Sequence, residues 1–71
     1  MPRAYKCKGF NYETGEAFAI PLEECARLIS RATWTARVST DLLLKNAQGR
    51  VTHEIYDANT TMKRLEKLTE S

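Results

Sequence analysis

Apolar and polar positions alternate along most of this chain, in blocks separated by short polar stretches. The first block is residues 4–10, where Tyr5, Cys7 and Gly9 share one face of an extended segment and Lys6, Lys8 and Phe10 the other. Glu16 to Ile20 alternate again, with Phe18 and Ile20 on one face. Between them, Tyr12-Glu13-Thr14-Gly15 is a four-residue loop whose closing glycine supplies left-handed backbone. That loop sets Asn11 opposite Glu16, Gly9 opposite Phe18 and Cys7 opposite Ile20. The Phe18 ring then covers the bare backbone of Gly9.

The period changes after Ile20. Pro21 suits the first position of a helix, and Glu23 and Glu24 suit its positive end. Leu22, Cys25, Ala26, Ile29 and Ala32 recur at helical spacing, with Leu28 at the stripe's edge, and the helix is expected to stop near Thr33. Trp34, Ala36, Val38, Thr40, Leu42 and Leu44 then alternate with their neighbours, which predicts one long strand over 34–45. The loop Asn46-Ala47-Gln48-Gly49 echoes the first. It sets Lys45 opposite Arg50, Leu44 opposite Val51, Leu42 opposite His53 and Thr40 opposite Ile55. Asp57 or Asn59 can cap a final helix whose narrow apolar edge is Met62, Leu65 and Leu68.

These elements predict an α+β fold in a single small domain over residues 1–71, in the order ββαββα. Its sheet is four-stranded and largely antiparallel, with the first helix packed on one face and a short C-terminal helix. One candidate layout sets the first and last strands side by side and parallel, as in ubiquitin-like folds.

Composition narrows the class. With 71 residues, 42% of them hydrophobic and 28% charged, the chain has enough apolar surface for one core. The net charge of +2 is compatible with nucleic acid without singling it out. No apolar run approaches the length of a bilayer span. The N-terminus lacks the apolar core of a signal peptide, so a cytoplasmic location is expected, and Met1 suggests an intact small protein.

Candidate chemistry is sparse. Cys7 and Cys25 read as small buried hydrophobes with free thiols, a Cys7–Cys25 disulfide being the alternative. Two cysteines and one histidine fall short of the four ligands of a structural zinc site. No metal or cofactor is expected. His53, opposite Leu42, reads as a packed, hydrogen-bonded core residue. A Cys–His nucleophile would need His53 within reach of a thiol, and an apolar setting makes a thiol inert. No phosphate loop, paired-carboxylate signature or serine elbow is present, so the chain is expected not to be an enzyme.

The face turned away from the first helix is more informative. It is expected to carry Lys6, Lys8, Phe10, Arg37, Leu43, Lys45, Arg50 and Tyr56. The leading expectation is a small protein-binding chain, an inhibitor or regulator of the kind encoded by phages and mobile elements. It would act through Phe10, Leu43 and Tyr56, with Met62 and Leu65 as second choice. The alternative is nucleic-acid binding, with Lys6, Lys8, Arg37, Lys45 and Arg50 on phosphates and bases stacked on the rings. A third is a homodimer joined by sheet faces or by an unpaired edge strand.

One local likeness bears on the alternative. Lys6-Cys7-Lys8-Gly9-Phe10-Asn11, then Gly15 and Phe18, resembles the opening hairpin of cold-shock domains, which runs Lys-x-Lys-Trp-Phe-Asn before its glycine. The resemblance implies a barrel that binds single-stranded nucleic acid, with Phe10 and Phe18 at stacking positions. It covers the first hairpin alone. Gly9 stands where the family has tryptophan, Glu16 where it has another aromatic, and a helix follows where the family continues in strands.

Overall fold

The computed structural model describes residues 5–70, with side chains described as far as Lys67. Its elements are β1 (Lys6–Asn11), β2 (Glu16–Pro21), α1 (Leu22–Arg31), β3 (Trp34–Val38), β4 (Asp41–Lys45), β5 (Val51–Ile55) and α2 (Ala58–Glu70). Residue 4, the expected start of the first strand, and the side chain of Leu68 lie outside the described residues. The architecture is α+β as expected, but the sheet has five strands and the order is ββαβββα.

The extra strand comes from residues 34–45. The expected single strand reverses at Ser39 and Thr40, where Ser39 takes left-handed backbone with φ 58. Val38 then faces Asp41, Ala36 faces Leu43 and Trp34 faces Lys45. The sheet runs β2-β1-β5-β4-β3 and every neighbouring pair is antiparallel. The first and last strands are indeed adjacent. They run antiparallel rather than parallel because the additional reversal turns β5 round.

The first hairpin has the expected register, with Asn11 opposite Glu16, Gly9 opposite Phe18 and Cys7 opposite Ile20. Both loops are built alike. Asn11 Oδ1 accepts the backbone N–H groups of Glu13 and Thr14, and Asn46 Oδ1 those of Gln48 and Arg50. Each loop ends in a left-handed glycine, Gly15 at φ 77 and Gly49 at φ 79. The second hairpin differs from expectation. Leu42 faces Ile55 and Leu44 faces His53, with a bulge between Leu44 and Lys45 that brings Lys45 opposite Val51. The displacement at Leu42 and Leu44 is two residues, and an even shift leaves these two, with His53 and Ile55, on their original face.

Pro21 is the last residue of β2 rather than the first of the helix. It caps α1 from extended backbone at φ −60 and ψ 153. The helix stops at Arg31 because Ala32 is already extended, two residues before the expected end.

Both helices pack on one side of the sheet. The core joins Cys7, Leu42, Leu44 and Ile55 from the strands, Cys25 from α1 and Ala58 from α2. Thr61 is also fully buried. Its hydroxyl meets the Tyr5 hydroxyl at 3.1 Å and donates towards Cys7 Sγ at 3.9 Å, so this polar group is satisfied inside. Ala58 and Thr61 therefore dock α2. The expected edge is corrected: Met62 is exposed and Leu65 is half-buried. Among the described residues no helix is long and apolar enough to cross a membrane.

Candidate functional site: the uncovered sheet face

With both helices on one side, the other face of the sheet has no element packed on it among the described residues. Strand register says which side chains stand there. Phe10 and Leu43 flank Glu54 across β5, and Ala17 and Ala36 continue that row to the two edges. Lys8 opposes Ala19, and the Tyr56 N–H donates to the Lys8 carbonyl at 2.8 Å, which puts Tyr56 in the next row. On β3 the same face holds Trp34, Ala36 and Val38. Trp34 and Val38 are each 53% exposed, Tyr12 is 49% and Tyr56 is 41%. Phe10 and Leu43 are half-buried in the middle.

The centre of the face is ordered by side-chain contacts. The Phe10 and Tyr12 rings meet edge to face with centroids 5.0 Å apart. The Tyr12 hydroxyl donates to Glu54 Oε1 at 2.6 Å. Accepting that bond favours the neutral phenol, so Glu54 pushes the Tyr12 hydroxyl above its ordinary pKa.

Of the residues expected here, Lys6, Lys8, Phe10, Leu43, Lys45 and Tyr56 are on the face. Arg37 is not: it opposes Leu42 on the helix side, and its Nη2 donates to Asn59 Oδ1 at 2.6 Å. Arg50 follows Gly49 in the loop ahead of β5 and is exposed. Met62 and Leu65 belong to α2, on the opposite side of the sheet. Sequence reasoning missed Trp34, Val38, Tyr12 and Glu54. It set Trp34 and Val38 inward because it carried one strand through the turn at Ser39.

Compared with protein-family models, with curated proteins and with solved structures, the chain matches none of them. The cold-shock likeness does not extend to the fold either. The sheet has two free edges, β2 and β3, and two helices cover one of its faces. Phe18 packs against the core on that helix side, edge to face with His53 at 6.2 Å, rather than on a stacking surface.

Two other groups bear on chemistry. His53 Nδ1 and Thr52 Oγ1 are 2.9 Å apart, so the ring's polar contact is to a hydroxyl and not to a thiol. It also helps line a cleft of about 370 Å³ between α1 and the sheet, with Phe18, Leu28, Arg27 and Arg31. Cys7 and Cys25 are free thiols, fully buried, with Sγ atoms 2.8 Å apart. Their shared hydrogen bond lowers the Cys7 pKa, aided by Thr61 and opposed by burial. The same bond and burial both push Cys25 up. Among the described residues no group of three His, Cys, Asp or Glu is placed to hold a metal ion.

Proposed function

We propose that the protein acts by binding another protein through the uncovered face of its sheet, as an inhibitor or regulator, without catalysis of its own. One observation carries this reading. A row of rings and aliphatic side chains, with Phe10 and Leu43 at its centre and Tyr56 and Trp34 around them, stands on a face that neither helix covers. Exposed rings set among polar groups suit a protein partner, because aromatic residues are enriched at protein–protein interfaces over the rest of a surface. The residues that should dominate are the half-buried Phe10 and Leu43 and the more exposed Tyr56, because binding energy concentrates in central aromatic anchors.

The nucleic-acid alternative is weakened by the same geometry. Two of its five cations, Arg37 and Arg50, are off the face. The Glu54 carboxylate lies between Phe10 and Leu43, where a phosphate backbone would meet like charge. Lys6, Lys8 and Lys45 remain as rim cations.

The test is affinity capture from the source host, comparing the wild-type chain with a Leu43→Glu, Tyr56→Ala variant whose melting temperature is checked first. Loss of one hot spot costs about 2 kcal/mol, so the captured partner should bind roughly 25-fold more weakly or worse. A partner held equally well by the variant would place the contact elsewhere. A parallel titration with single-stranded and duplex oligonucleotides decides the alternative. Tight binding that weakens steeply with salt, and is lost in a Lys6→Ala, Lys8→Ala variant, would favour phosphate contacts instead.

A further inference from the structure

We infer that the β3 edge is a self-pairing surface, on which a second copy of this chain adds its own β3 antiparallel to form a ten-stranded sheet across a two-fold axis at Ala36. The inference does not rest on the protein-binding reading. Edge-to-edge pairing uses backbone groups and, apart from Trp34, Ala36 and Val38 along β3, leaves the uncovered face free.

The direction of the backbone groups follows strand by strand. The Tyr56 N–H reaches the Lys8 carbonyl and the Tyr12 N–H the Thr52 carbonyl, so even-numbered residues of β5 point their polar groups at β1. His53 and Ile55 must then point theirs at β4, meeting Leu44 and Leu42. Leu43 and Lys45 consequently point at β3, where they meet Ala36 and Trp34. The N–H and C=O groups of Thr35 and Arg37 are left facing outward from the sheet. They are two unpaired donors and two unpaired acceptors on an edge that no described element covers.

This spacing is self-complementary. If Ala36 of one copy stands opposite Ala36 of the next, Thr35 falls opposite Arg37 and Arg37 opposite Thr35. Both are hydrogen-bonded pairs in the new ladder, and all four outward groups of each copy find partners. The axis pair is the close, non-hydrogen-bonded kind, where strands approach nearest, and alanine is small enough for it. Trp34 of one copy then falls opposite Val38 of the other, twice. These two side chains are each 53% exposed in the single chain, and the pairing sets a large ring against a β-branched residue. No like charges oppose one another. On the helix side each Arg37 meets a threonine while its guanidinium bonds Asn59.

The other edge fits a second copy poorly. On the uncovered face β2 offers only Ala17, Ala19 and Pro21, of which Pro21 has no N–H to give, and α1 packs beside it. Natural edges are usually blunted by charge, proline or a bulge. β3 carries none of these along its uncovered face.

A contact of one short strand per copy lies at the small end of specific interfaces, so the dimer should be weak and concentration-dependent. Sedimentation and light scattering of the full chain from micromolar to millimolar concentration should show the mass rising from one copy to two. Thr35→Pro removes one outward N–H and no internal one, and Ala36→Lys puts like charges at the axis. Each should keep the chain monomeric at every concentration, with circular dichroism and melting temperature as checks on folding. Mixing Ala36→Lys with Ala36→Glu chains should restore a dimer, because the two substituted positions face each other. A wild-type chain that stays monomeric at millimolar concentration would overturn the inference. So would a dimer that survives both substitutions, or a charge-swapped mixture that stays monomeric.

Discussion

Replacing Gly9 by alanine is expected to remove a large share of the chain's stability. Gly9 is buried in β1, opposite Phe18 on β2 and Ile55 on β5. A methyl group built on its α-carbon would collide with the backbone carbonyl oxygen of Glu54 and come within 2.5 Å of Phe18 Cζ. A ring can turn aside, but a carbonyl inside a paired strand cannot move without its ladder. Overpacking of a core costs about 1–3 kcal/mol, and more when backbone must shift. A domain of this size has roughly 4–10 kcal/mol in total. Urea unfolding should show the midpoint collapsing in Gly9→Ala. Adding Phe18→Leu should recover only part of it, since the clash with Glu54 remains. An unchanged midpoint in Gly9→Ala would show that β1 and β5 are not packed this closely.

The second large effect concerns the two thiols. Treating the folded chain with a small-molecule disulfide is expected to join Cys7 and Cys25. The protein loses two protons and two electrons while the reagent is reduced to two thiols. One thiolate attacks the reagent, and the second sulfur then displaces the reagent's remaining half. The sulfurs are already 2.8 Å apart and hold α1 against β1, so little movement is needed. Full burial makes the reaction slow, because the reagent enters only when the helix opens. The bond closes a loop with a sequence separation of 18, and the chain-entropy relation gives about 3 kcal/mol for it. In so small a domain that raises the melting temperature by roughly 10–20 °C. Mass spectrometry should show two hydrogens lost, and Cys25→Ser should abolish both the mass change and the stabilisation. A chain that resists oxidation while folded, or melts no higher once oxidised, would contradict the geometry.

Much of the fold was legible because several local signals agreed. The first hairpin had a glycine-closed loop, a strand glycine facing an aromatic, and an alternation that fitted only one register. The helix had its acidic start and a clear apolar stripe. The turn at Ser39 and Thr40 was not legible, for a physical reason. It has no glycine, asparagine or proline, and a two-residue reversal leaves the alternation of letters unbroken. Across such a turn, odd positions of one strand share a face with even positions of the next. The apolar set Trp34, Ala36 and Val38 therefore emerges on the side opposite Leu42 and Leu44. Unbroken alternation concealed a strand whose apolar residues face outward.

The candidate site was legible where it depended on β1 and β4, so Lys6, Lys8, Phe10, Leu43 and Lys45 were placed correctly. It was illegible where it depended on β3. The docking edge of α2 was hidden as well, because a buried threonine bonded to Tyr5 holds it where a periodic reading favours methionine.

The tip of the β3–β4 hairpin is moored. The Ala58 N–H donates to the Thr40 carbonyl at 2.7 Å, and the Asp57 N–H to Asp41 Oδ1 at 3.2 Å. The outermost rib of the sheet is thus tied at its far end to the start of the terminal helix. A pull on that rib would be felt across the back of the molecule, instead of dying out in a loose flap.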